Sequence, residues 1–170
     1  MDINITVNSL IQYLNEKQGI LRDLLRFTMD QKTLLAASDE LDMEAFTLLL
    51  TERGKLMEAA DQLDTLFLEA FQSLKDHLGI KSMEELPAGE VARDQVQALQ
   101  SQVQQVQQLL QAIQQVDDEN RETMKRQMAV LKKEITQVQQ GKKAIHGYAN
   151  TKQPQPSLFM DQKEKPTEKK

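Results

Sequence analysis

Between Val96 and Ile113 the apolar residues fall at Val96, Leu99, Val103, Val106, Leu110 and Ile113, and nearly everything between them is glutamine. These alternating steps of three and four are the a/d seam of a coiled coil. The helix they predict runs from about Glu90 to Ala149, through Gly141-Lys142-Lys143-Ala144-Ile145-His146-Gly147-Tyr148, and ends in a polar tail. Such a helix is roughly 90 Å long at its usual rise per residue. No compact core of a 170-residue chain covers a stripe of that length. It requires partner helices along its course, in the same chain or in another protein, and so points to binding, not catalysis.

Upstream, two more amphipathic helices are expected. The first spans about 4–37, with a stripe of Val7, Leu10, Ile11, Leu14, Leu21, Leu24, Leu25 and Thr28, widened by Ile20, Phe27, Leu34 and Leu35. An apolar face that broad suits two neighbours. Ser38, Asp39 and Asp42 are all able to cap the next helix, which spans about 42–78. Its stripe reads Phe46, Leu49, Leu50, Arg53, Met57, Ala60, Leu63, Phe67, Phe71, Leu74 and Leu78, and Gly79 follows as a left-handed stop. Two long helices joined by a short turn form an antiparallel hairpin. Ser82-Met83-Glu84-Glu85 then has capping-box form before Pro87-Ala88-Gly89 breaks the chain again.

In the third helix the seam changes phase. Continuing past Ile113 it lands on Asp117 and Asn120, and the next clear stripe is Met124, Met128, Leu131, Ile135, Val138 and Ile145. The eleven residues from Ile113 to Met124 read as a stutter, with Asp117-Asp118-Glu119-Asn120 as the place where the helix bends or passes the end of its partner. The third helix outruns the hairpin, so the stripe beyond about Glu122 is expected to lie uncovered. An uncovered stripe is a docking surface. The tail 150–170, lysine-rich with Pro154, Pro156 and Pro166, is too polar to fold alone and is expected to be disordered, with one apolar island at Leu158-Phe159-Met160. The fold class is therefore all-α: an elongated antiparallel three-helix bundle or coiled coil (1–149) with a long third helix and a disordered C-terminal tail.

Composition narrows the function classes. Aromatic residues make up 4% of the chain and tryptophan is absent, which argues against a thick globular core. There is no cysteine, so disulfide and thiol chemistry are excluded, as suits a reducing compartment. The opening Met1-Asp2-Ile3-Asn4 lacks the basic start and apolar run of a signal peptide, and no apolar stretch spans a bilayer. A cytoplasmic protein without stable membrane insertion is expected. Residues 1–90 hold 8 Lys/Arg against 17 Asp/Glu, while residues 91–170 hold 13 against 9. The acidic body disfavours nucleic acid as a partner, because phosphate contacts need clustered cations.

Catalytic and metal chemistry have no candidate residues. His77 reads as a charge partner for a helix C-terminus and His146 as a solvated side chain. Asp61 and Asp64, like Asp117 to Glu119, lack the glycine and spacing of a calcium loop. No glycine-rich phosphate loop or strained-turn serine occurs. Neither an enzymatic activity nor a cofactor is expected. The glutamines of Gln95–Gln115 read as a soluble coiled-coil exterior. Met29, Met43 and Met57 read as core filler, whereas Met124, Met128 and Met160 suit an adaptable binding surface.

Three features together resemble the FlgN family of flagellar type III export chaperones. They are the leucine-rich opening helix (Leu10-Ile11-Gln12-Tyr13-Leu14 and Leu21-Arg22-Asp23-Leu24-Leu25), Asn120-Arg121-Glu122-Thr123-Met124 leading into a long amphipathic stretch, and Tyr148 before a tail containing Ser157-Leu158-Phe159-Met160-Asp161-Gln162-Lys163. The resemblance implies a cytoplasmic chaperone that holds hook-associated proteins, the hook–filament junction components, unpolymerised and delivers them to the export gate. It also implies helix-in-groove packing between the C-terminal helix and a client segment. On that reading Met124, Met128, Leu131, Ile135, Val138 and Ile145 bind the client, and Tyr148, Leu158 and Phe159 contact the export gate. The glutamine density departs from the family pattern. Two alternatives stay open: a structural coiled-coil homodimer pairing the third helix with its own copy, and a regulatory adaptor with no export role.

Overall fold

The computed structural model of the chain describes residues 1–37, 40–87, 89 and 91–148, with the backbone alone for 146–148. These residues form α1 (Ile3–Ala36), α2 (Met43–Leu78), a single 3-10 turn (Met83–Glu85) and α3 (Arg93–Tyr148). The expected disordered tail lies outside the described residues. Asp2 opens α1, its carboxylate accepting the backbone N–H groups of Asn4 and Ile5 at 3.0 and 3.2 Å. Asp42 does the same for α2, accepting from the N–H of Ala45 at 3.0 Å. Ser38 and Asp39, the other cap candidates, lie outside the described residues. At the far end of α2, Gly79 takes φ 66° and ψ 28° and its N–H closes on the Lys75 carbonyl. A side chain in that left-handed conformation is strained, which is why the helix stops at glycine.

The capping box is only half made. Ser82 makes no side-chain cap bond, while the Glu85 carboxylate accepts the N–H of Lys81 at 2.6 Å, one residue further back than the pattern predicts. α3 starts at Arg93, three residues later than expected, because Leu86 and Val91 of the connection are drawn into the core.

The chain divides into two compact units, Met1–Met124 and Lys125–Lys170. The first is a three-helix bundle. In α1 a strict heptad places Val7, Leu14, Leu21, Thr28 and Leu35 at one seam position and Leu10, Leu24 and Gln31 at the other, all buried, with half-buried Lys17 completing the row. From α2 come Leu56, Phe67, Ala70 and Leu74, and from α3 Leu99, Val106 and Ile113, joined by Val96, Val103 and Leu109. The pairs Lys17–Asp64 and Gln31–Arg53 set α1 and α2 antiparallel. Asn8–Gln95, Gln18–Gln102 and Lys32–Glu119 set the Arg93–Met124 part of α3 parallel to α1. Leu10, Leu21, Leu74 and Leu99 are the largest fully buried side chains, and cutting any of them to alanine costs about 2–5 kcal/mol.

Several expectations change. Met29, Met43 and Met57 are exposed, not core filler, and so is Leu50. The second helix turns Leu56 inward in place of Met57, and the third turns Leu109 inward in place of Leu110. Asp117 and Asn120 do continue the seam. Asn120 is buried and its amide donates to the Thr28 carbonyl at 3.1 Å. Arg53 donates to Asp117 at 2.8 Å and to buried Gln31 at 2.9 Å. Asp117, Glu119 and Asn120 of the cluster thus form a polar layer of the bundle. The phase change falls later, in the two successive steps of four from Asn120 through Met124 to Met128, where the first unit ends.

Candidate functional site

Residues 125–148 of the second unit continue α3 as helix. Alanine, leucine, lysine, arginine, glutamine, glutamate and methionine, all good helix formers, supply 15 of the 24 residues of this stretch, and it holds no proline. Gly141 is tolerated within it at a cost of about 1 kcal/mol against alanine. The Thr136 hydroxyl donates back to the Lys132 carbonyl at 2.9 Å, so this polar group is satisfied locally.

One row of this helix carries Met128, Leu131, Ile135, Val138 and Ile145 in steps of three, four, three and seven, with Lys142 in the gap. Met128 is 67% exposed, Leu131 56%, Val138 58% and Ile145 67%, whereas Ile135 is half-buried. Met124, the last residue of the first unit, is 38% exposed. Val130, beside Leu131, is exposed as well and was not part of the expected stripe. Only its exposure identifies it, since it lies off the seam spacing. Isolated exposed apolar side chains are ordinary, but six on one 22-residue stretch are a patch. Tyr148 is the last residue of α3, and its side chain lies outside the described residues. Leu158 and Phe159 lie outside them altogether.

The flanks are basic. Residues 125–148 carry six Lys/Arg (Lys125, Arg126, Lys132, Lys133, Lys142 and Lys143) against the single acid Glu134. α2, by contrast, carries seven Asp/Glu against three Lys/Arg. A helix that is apolar on one row and cationic beside it selects an apolar surface with acidic rims.

Polar chemistry concentrates in the first unit and is structural. Asp64, one of the carboxylates considered for a cation, is the salt-bridge partner of Lys17 at 2.5 Å. Lys32, hydrogen-bonded to Glu119 at 2.6 Å, holds that carboxyl below the usual carboxylate range, with its positive charge adding to the effect of the hydrogen bond. Among the described residues no cluster of three or more His, Asp or Glu could hold a metal ion, and no helix is long and apolar enough to cross a membrane.

The model of the FlgN protein family matches residues 1–156, which takes in all three helices. The chain belongs to the FlgN family. No curated protein and no solved structure matches it. FlgN proteins are flagellar export chaperones, a family of binding proteins and not of enzymes, and their partners are flagellar proteins. For this FlgN protein the match covers both the polar-layered bundle and the exposed stripe of the second unit.

Proposed function

We propose that this FlgN protein is a cytoplasmic chaperone for hook-associated proteins and that it holds them on the Met124–Ile145 stripe. The exposure of Met128, Leu131, Val138 and Ile145 along one row of a single helix carries the reading. An amphipathic client segment laid along that row would bury both apolar faces, the helix-in-groove mode of recognition. A client segment needed for polymerisation is masked while it is so held. Tyr148 and the tail residues Leu158 and Phe159 then serve delivery, as the contact with the export gate.

Two methionines in the row suit a surface that accepts more than one client, because the unbranched thioether side chain repacks at low cost. Removal of everything after Met124 leaves the first unit whole and tests the assignment. The truncated protein should keep its helical signal and cooperative melting yet lose binding to hook-associated proteins in calorimetric titration. Unchanged affinity would place the client site elsewhere.

A further inference from the structure

A second apolar surface lies on the groove between α1 and α2. α1 uses one flank for α3, through Gln18 and Lys32, and the opposite flank for α2, through Lys17 and Gln31. On that α2-facing flank Tyr13, Ile20, Phe27 and Leu34 recur at intervals of seven, each half-buried. α2 answers at the same interval with Met43, Leu50, Met57 and, after Asp64, Phe71. The register fixed by Lys17–Asp64 and Gln31–Arg53 sets Leu34 across from Leu50 and Phe27 across from Met57. Leu50 and Met57 remain 48% and 51% exposed. Both flank rows are thus apolar in addition to the seam, which is the pattern of a bundle with room for one more helix. Outside the α1 row stands a third row at the same interval, the exposed acids Glu16, Asp23 and Asp30.

An apolar groove with an acidic rim of heptad period takes a helix with an apolar heptad row and basic flanks. This chain contains one. Residues 125–148 carry Met128, Leu131, Ile135 and Val138 in heptad steps, and Lys125 and Lys132 stand seven residues apart beside that row. We propose that the α1/α2 groove of one copy receives the 125–148 helix of a second copy. Every copy carries both surfaces, so two copies that dock reciprocally form a closed twofold dimer. The interface differs from a coiled coil of α3 with itself, because apolar row meets apolar groove and cation meets acid. Repulsion between the two basic helices opposes that alternative.

The chain has no cysteine, so introduced thiols are unambiguous reporters. Two full-length, differently tagged preparations are mixed under oxidising conditions, one with cysteine placed in turn at Leu50 or Met57, the other with cysteine at Met128, Leu131 or Val138. At least one mixed pair should cross-link between tags. Sedimentation of the unmodified chain at roughly 100 µM should give a dimer, as a specific interface of ordinary size predicts. Asp23→Lys with Asp30→Lys should weaken it by about tenfold or more, as should raised salt, while circular dichroism stays helical. A chain that stays monomeric overturns the proposal. So does cross-linking of Val138→Cys only to itself, or of a Met57→Cys/Val138→Cys double variant only within one copy. None of these measurements uses a client, so their failure leaves the chaperone reading untouched, and failure of client binding leaves them untouched.

Discussion

The side-chain amide of Asn120 in α3 donates to the backbone carbonyl of Thr28 in α1 at 3.1 Å, and both residues are buried. The Thr28 hydroxyl is itself spent on the Leu24 carbonyl at 2.7 Å, so Asn120 bonds to α1 through backbone. A buried polar group at a seam position fixes register, because any slide of one helix past the other leaves it unsatisfied. Asn120→Ala removes the bond and opens a small void, and should lower unfolding free energy by about 1–3 kcal/mol in urea titration. A variant as stable as the parent would mean that the amide contributes nothing to the bundle.

One turn away, Arg53 of α2 ties α1 and α3 together through Gln31 and Asp117, with its side chain only 14% exposed and that of Asp117 27%. Its Nε is buried without a partner, so the site already carries a desolvation cost. Arg53→Met strands Asp117 in a poorly solvated position and should destabilise by about 2–4 kcal/mol, somewhat below the range for fully buried pairs. Adding Asp117→Leu should restore much of that loss, since two apolar groups replace the broken pair. The double-mutant cycle reads the coupling directly, and strictly additive losses would show that the pair does not act as a unit.

Glu119 titrates below its usual range because Lys32 hydrogen-bonds and attracts its ionised form. A carboxyl with a depressed folded-state pKa stabilises the fold above the unfolded pKa of about 4.3. That contribution is lost as pH falls through the lower, folded value. Lys32→Met should therefore shift the acid-unfolding midpoint of the first unit to higher pH and leave the difference from the parent constant at neutral pH. The pair is exposed, so the shift should shrink as salt is raised. An acid limb identical in parent and variant would count against the assignment.

Much of this architecture is legible in the chain itself. The α1 seam from Val7 to Leu35, the cap at Asp42 and the left-handed stop at Gly79 follow from local periodicity and backbone sterics, which need no partner to be read. Leu56 against Met57 and Leu109 against Leu110 were misassigned for a definite reason. Neighbouring apolar residues lie ~100° apart on a helix, and only the tertiary register decides which of them points inward. Asp117 and Asn120 looked unfit for a core because their partners, Arg53, Gln31 and Thr28, are between 64 and 92 residues away or reached through such a residue. The exposed row of the second unit was readable from spacing alone. What rests on it was not, since a row of apolar side chains specifies an apolar partner and no particular one.

Delivery and capture should separate genetically. If Tyr148, Leu158 and Phe159 contact the export gate, replacing all three by alanine should leave client affinity within about twofold of the parent, the scatter expected for surface changes. Secretion of hook-associated proteins in a strain lacking the native chaperone should nevertheless fall. Loss of client binding in that variant would move these residues into the capture site.

Capture itself turns on Leu131 and Val138, which are 56% and 58% exposed and lie seven residues apart on the same row. Full burial of one such side chain contributes about 1.5–3 kcal/mol, which corresponds to a tenfold to hundredfold change in affinity. Leu131→Asp replaces that gain with the desolvation of a charge and should weaken client binding by at least the lower figure. Because the side chain is exposed in the free protein, the same change should alter the melting temperature of the first unit by less than about 2 °C, as for other surface substitutions. Gln140→Asp, nine residues further along and off the row, carries the same charge and should bind nearly as the parent does. Equal losses from Leu131→Asp and Gln140→Asp would assign the effect to net charge on a basic helix, and the apolar row would no longer be the site of capture.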